Sequence, residues 1–251
     1  MVNFVLSLET PINELVAKHP KVVEFLETNK VFCVECSVGT CLVKDIFAIH
    51  NFSKEDQKEM IEQIKMLING ETTKIKIFEP LDSKEEYSPL VEMLIEEHKV
   101  IMELVYMAQY IINKPNFYQK YQKEIEKLVY YFKHYADDFH HGKEEDMLFY
   151  LFDKIDILEV MYLEHSSSRG YRKKLASSTS ESEIKQLISE YALLLTDHIY
   201  KEDNILFPYL DRSLSDEQKD KIINELQAID LSINDEIKAF INDFNQKEFT
   251  I

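Results

Sequence analysis

His140 and Glu144 stand four residues apart, and so do His198 and Glu202, in the stretches HHGKEEDMLF and HIYKEDNILF. On an α-helix, residues at i and i+4 share a face with Cβ atoms about 5–6 Å apart. Each pair therefore offers an imidazole and a carboxylate in one direction. Glu97-His98 precedes the first stretch and Glu164-His165 the second, so the chain writes Glu-His and then His-x-x-x-Glu twice. Apolar residues recur at spacings of three and four around His98, His140, Glu144, His165, His198 and Glu202, which puts all six on core-facing stripes. Without partners, six such groups in a core would be prohibitively unfavourable. A metal centre removes that penalty by coordinating them. Four imidazoles and two carboxylates suit two ions, each with two His and bridged by both Glu; iron fits this ligand set, and manganese or zinc can take its place. Coordination positions left open would take water, an oxo bridge or a small diatomic molecule such as O2 or NO. The ferritin-like spacing Glu-x-x-His is absent, because no His has Glu three residues before it.

The doublet His140-His141 leaves a choice of register. Pairing His141 with Glu145 would turn the helix by about 100°, whereas aligning the Leu-Phe endings of the two stretches selects His140 and Glu144. Gly142 inside this helix suggests close packing or access to the metal. His134 reads as a surface or neighbouring residue, and His19 and His50 as solvated histidines. Glu97 and Glu164 would either support the site or line an iron path, but solvated helix charges are the simpler reading.

Long amphipathic helices must position these groups. Leu90, Leu94, His98, Ile101 and Val105 form one face of a helix opening at Pro89 and ending before Lys114-Pro115. The periodicity predicts further helices over about 117–152, 156–176 and 181–210, the last capped by Ser180. Four antiparallel helices with short loops make an up-down four-helix bundle. Domain boundaries are expected at about 1–79 for a small helical cysteine-bearing N-terminal domain, 80–88 for a linker, 89–212 for the bundle and 213–251 for an extra C-terminal helix. That last helix, with Ile222, Ile223, Leu226 and Ile229, would pack on the bundle or on a partner, a homodimer included. In the N-terminal segment Thr10-Pro11 should open a helix, His19-Pro20 break it, Ser53 start another and Asn69-Gly70 end it. KIKIF is a candidate extended piece.

Composition fits an all-α protein, with four Gly and six Pro in 251 residues. A net charge of −17 argues against nucleic acid, which asks for a basic face, and against an anionic membrane surface. The sequence shows no apolar run of about 18 residues and no secretory leader pattern, and a cytoplasmic location is expected. Cys33, Cys36 and Cys41 suit a reducing compartment. They read as plain thiols, as a Cys33/Cys36 redox pair, or as zinc or iron–sulfur ligands with His50 or a partner as fourth ligand.

EEHKVIM, FHHGKEEDMLF, LEHSSSR and HIYKEDNILFPYL resemble the ligand-bearing segments of hemerythrin-like (HHE) domains over about 85–212. Hemerythrin has a fifth His from a His-x-x-x-His helix; here Arg169 stands four residues after His165. The four-His, two-Glu set and the cysteine-bearing N-terminal segment TPINELVAKHPKVVEFLETNKVFCVEC resemble the iron–sulfur cluster repair branch (repair of iron centres). That branch shows adjacent cysteines, whereas these are spaced C-x2-C-x4-C. The resemblance implies a di-iron protein that donates or handles iron for clusters damaged by oxidative or nitrosative stress, with iron–sulfur proteins as partners. The alternative it implies is oxygen or nitric oxide binding or sensing without turnover.

Overall fold

The computed structural model describes residues 6–29, 31, 42–71, 74–79, 81, 87–152, 156–227 and 232–249. Cys33, Cys36, Cys41 and Ile229 lie outside them, with the readings attached to them. The described residues are helical almost throughout, and the β structure among them is an isolated bridge between Pro11 and Leu42. Two compact units emerge, one drawn from Met1–Glu86, Lys154–Val160 and Pro208–Leu210, the other from Tyr87–Asp153, Met161–Phe207 and Asp211–Ile251.

The first unit holds α1 (Ile12–Lys18), α2 (Pro20–Thr28), α3 (Val43–Ile49) and α4 (Lys54–Ile68). Pro20 opens α2, where its missing N–H is harmless, while Pro11 stands just before α1 as its cap residue. Ser53 Oγ accepts from the Asp56 N–H at 3.0 Å and caps α4. At the other end Gly70 adopts φ +77°, and the Gly70 and Glu71 N–H groups close onto Leu67 and Met66 carbonyls, a C-terminal stop that glycine makes possible. Residues 74–79, which include the candidate extended piece KIKIF, form no strand. Buried Asn29 fastens them instead: its Oδ1 accepts from the Phe78 N–H at 2.6 Å, and its Nδ2 donates to the Phe25 carbonyl at 2.8 Å.

His50 is not the solvated histidine expected. Burial drives its pKa from 6.5 to about 4. A folded-state pKa below the unfolded one means the unfolded chain binds the extra proton. The contribution of neutral His50 to stability is complete above pH 6.5 and is lost as pH falls toward 4. An NMR titration of the His50 ring should show a midpoint near 4; a midpoint above 6 would overturn this.

The second unit is the bundle. α5 (Pro89–Ile112) is followed by a short α6 (Phe117–Lys120) and by α7 (Gln122–Tyr131). α9 (Asp156–Ser177) and α10 (Glu181–Lys201) complete the four. The single helix expected over 117–152 is broken. After α7 the chain widens to a π-helix at Phe132–His140, makes one α turn, α8 (His141–Lys143), and is π-helical again at Glu144–Leu148. The fourth helix does the same at Glu202–Leu206 before α11 (Phe207–Ser213). π turns are rare and gather at functional sites, and here they coincide with the two His/Glu stretches. The expected C-terminal helix is two, α12 (Asp216–Gln227) and α13 (Ser232–Phe249). Their apolar face packs on the bundle: Ile237, Phe240, Ile241 and Phe244 share one core with Ile111, Tyr121 and Leu128. Tyr121 Oη donates to Glu248 Oε2 at 2.7 Å and ties the end of α13. No helix among the described residues is long and apolar enough to cross a membrane.

Candidate metal centre

All six predicted side chains meet inside the bundle. His98 comes from α5, His140 and Glu144 from the π-helical stretches, His165 from α9, His198 from α10 and Glu202 from the turn after it. Each is at most 2% exposed. Glu202 lies at the centre, with Oε2 3.2 Å from His98 Nε2 and 3.1 Å from His198 Nε2, and Oε1 3.7 Å from His165 Nε2. Glu144 reaches His140 Nε2 at 3.5 Å and His165 Nε2 at 3.4 Å. Two clusters result, each within ligand reach of one point: His98, His140, Glu144 and Glu202, and His141, Glu144, His165 and His198.

His141 in the second cluster departs from the expectation that His140 and His141 are alternatives. That reasoning assumed α-helical steps of about 100°. The chain is π-helical up to His140 and again from Glu144, and in this widened stretch both consecutive imidazoles are buried in the site. The duplicated stretch could not reveal it, since Ile199 occupies the matching position. Gly142 serves no close approach, because a Cβ there would meet nothing within 4 Å. His134 pairs with Asp138 at the surface.

Glu97 and Glu164, read most simply as solvated charges, are 5% and 4% exposed and orient the imidazoles. His140 Nδ1 lies 2.9 Å from Glu97 Oε2, and His198 Nδ1 lies 3.0 Å from Glu164 Oε2. Lys143 Nζ donates to Glu97 and Lys201 Nζ to Glu164. Across the halves, Asp203 Oδ1 sits 2.6 Å from His98 Nδ1 and Glu145 Oε1 2.7 Å from His165 Nδ1. The signal was in the repeat: both stretches read His-x-x-Lys-Glu-acid. Even their Leu-Phe endings have a role, because Phe207 stacks on His98 and Phe149 on His165, with centroids 5.3 and 5.9 Å apart.

With Nδ1 engaged outward, each of these four rings turns Nε2 toward the centre, the outer-shell arrangement that fixes metal-binding histidines. The atoms left over are telling. His98 Nε2, His140 Nε2 and all four carboxylate oxygens of Glu144 and Glu202 are buried without a hydrogen-bond partner. Buried polar atoms rarely go unpaired, and this donor set of imidazole and carboxylate is that of a divalent metal site.

Although burial opposes it, the facing carboxylates of Asp203 and Glu202 carry the His98 pKa up to about 10. His165 likewise rises well above its usual value, against burial, on contacts with Glu144, Glu145 and Glu202. Burial, with the charges of His98 and His141, keeps His140 well below its usual value. Burial and then the charge of His165 press His141 down to about 3. Burial and the neighbouring Glu202 charge lift Glu144 to about 7. Glu202, despite burial, is held far down by His198, His165 and His98. Bound metal ions would supply positive charge to the same carboxylates.

Residues 89–210 match the family model of the hemerythrin HHE cation binding domain. This segment is similar to hemerythrin HHE cation binding domains. Neither a curated protein nor a solved structure matches the chain. The hemerythrin-like segment runs from the first residue of α5 into α11, and so contains every His and Glu of the two clusters.

Proposed function

We propose that the hemerythrin-like domain holds two non-haem iron ions, one at His98 and His140, the other at His165 and His198, with Glu144 and Glu202 shared between them. What carries this reading is the orphaning of both oxygens of both glutamates at the point where four outward-tethered imidazoles converge. Zinc or manganese satisfies the same donors less distinctively. Bound iron would supply coordination of a small diatomic ligand and a cation that can be passed on. The chain's own side chains hold the rings in register through Glu97, Glu164, Glu145 and Asp203, and exclude bulk water with Phe149 and Phe207.

The biological role we assign is handling or donation of iron to iron–sulfur proteins damaged by oxidants or nitric oxide, in the cytoplasm. The cysteine-bearing N-terminal segment, unlike anything the metal site alone needs, supports this role. A second reading, reversible binding or sensing of O2 or NO, is favoured by the complete burial of the site, which admits a diatomic molecule more readily than a protein acceptor. The purified chain should contain about two iron ions. Mixed in reduced form with an enzyme whose iron–sulfur cluster has been damaged, it should restore that enzyme's activity while losing iron. Reversible gas binding with no iron transferred would replace repair by sensing.

A further inference from the structure

His141 is buried beside His165 and His198; its Nδ1 faces Asp137 Oδ1 at 3.5 Å, too far for a formed hydrogen bond, and is otherwise unpartnered. Asp137 is buried as well, and two side chains grip it: Arg172 Nε donates to Oδ2 at 2.6 Å and Ser168 Oγ to Oδ1 at 2.9 Å. Ser168 in turn lies 3.2 Å from Tyr191 Oη. The internal repeat identifies the equivalent positions in the other half. Aligning His98 with His165 and His140 with His198 matches His141 to Ile199, Asp137 to Leu195, Ser168 to Ile101 and Arg172 to Val105. All four counterparts are buried apolar residues. One half thus carries, as a set, an imidazole, a carboxylate, a hydroxyl and a guanidinium where the other carries plain core.

Stability does not account for this substitution, because well-packed apolar side chains serve a core at least as well as a buried ion pair. A ligand that must be aimed does account for it. We infer that Asp137 and Arg172 are positioning residues that aim His141 at the metal position of His165 and His198. That position then has three imidazoles against two at His98 and His140, and the two ions are held unequally. The inference rests on the dinuclear reading above. Removing an outer partner of a metal-bound histidine weakens binding about 10- to 100-fold.

The test is titration of the metal-free full chain with Co(II), followed by visible absorption, which reports the ligands around the ion. The unaltered chain should take up two ions in two resolved steps. In Arg172→Met and Asp137→Asn, with folding checked by circular dichroism, the tighter step should weaken about 10- to 100-fold and its spectrum change; Arg172→Lys should recover part of both. The set Asp137→Leu, His141→Ile, Ser168→Ile and Arg172→Val, which copies the other half, should fold and bind both ions in one unresolved step. If His141→Ile keeps two ions with unchanged affinities and spectrum, His141 is no ligand, and the dinuclear reading survives without it. If His141→Ile loses the tight step while Arg172→Met and Asp137→Asn retain it, the positioning role is refuted. An unaltered chain that takes up no ion overturns both readings.

Discussion

Replacing Glu202 with alanine is expected to empty both metal positions. The Glu202 carboxylate approaches three imidazoles from different helices, His98 on α5, His165 on α9 and His198 on α10. Its Oε2 lies 3.2 Å from His98 Nε2 of one cluster and 3.1 Å from His198 Nε2 of the other, and its charge would balance that of bound cations. Loss of a bridging ligand removes one donor from each ion at once, so the effect should exceed that of His140→Ala or His198→Ala, which each strip one. Elemental analysis after dialysis should find well under one ion per chain in Glu202→Ala, against about two before substitution. The stabilisation that metal confers by binding only the folded state, about 4 kcal/mol at a thousandfold excess over the dissociation constant, should vanish with it. Retention of two ions by Glu202→Ala would sink the bridging assignment.

Replacing Glu97 with alanine should destabilise the metal-free protein by about 3–5 kcal/mol, because it strands a buried charge. Lys143 is 4% exposed, and the partners shown for its ammonium are the Glu97 carboxylate and the face of the Phe139 ring, 3.4 Å away. Burial already raises Glu97 and lowers Lys143 from their usual pKa values, the signature of a pair whose charges are expensive to hold there. The matching residue in the other half, Glu164, gives a controlled comparison. Lys201 keeps a second carboxylate, Asp197 Oδ2 at 2.9 Å, where the first half has Phe139. Glu164→Ala should therefore cost less than Glu97→Ala. Replacing both members, Glu97→Leu with Lys143→Leu, should recover most of the loss, since an apolar pair carries no desolvation penalty. Denaturant melts of the four proteins decide it; equal losses for Glu97→Ala and Glu164→Ala would show that Phe139 and Asp197 are interchangeable as partners.

The sequence by itself determined the helical class, the bundle, and the six side chains that the fold brings together. Those follow from local physics: helical periodicity selects the buried face, and a His or Glu on that face stands out because water cannot solvate it there. Duplication then turned an ambiguous doublet at His140-His141 into a defined register. The tertiary structure decided which imidazole or carboxylate each supporting residue meets. Glu97 and Lys143 are 46 positions apart in the chain, and Asp203 and His98 are 105 apart; pairings of that separation leave no mark in periodicity. The structure also decided His141. A sequence reading must assume a helix geometry before it assigns faces, and the widening to π turns around the ligands changed that geometry. Where the two halves agree, in His-x-x-Lys-Glu-acid, the repeat marks residues that gather in and around the buried clusters. Where they differ, in Asp137, His141, Ser168 and Arg172 against Leu195, Ile199, Ile101 and Val105, only packing in three dimensions showed that the four differences belong to one another.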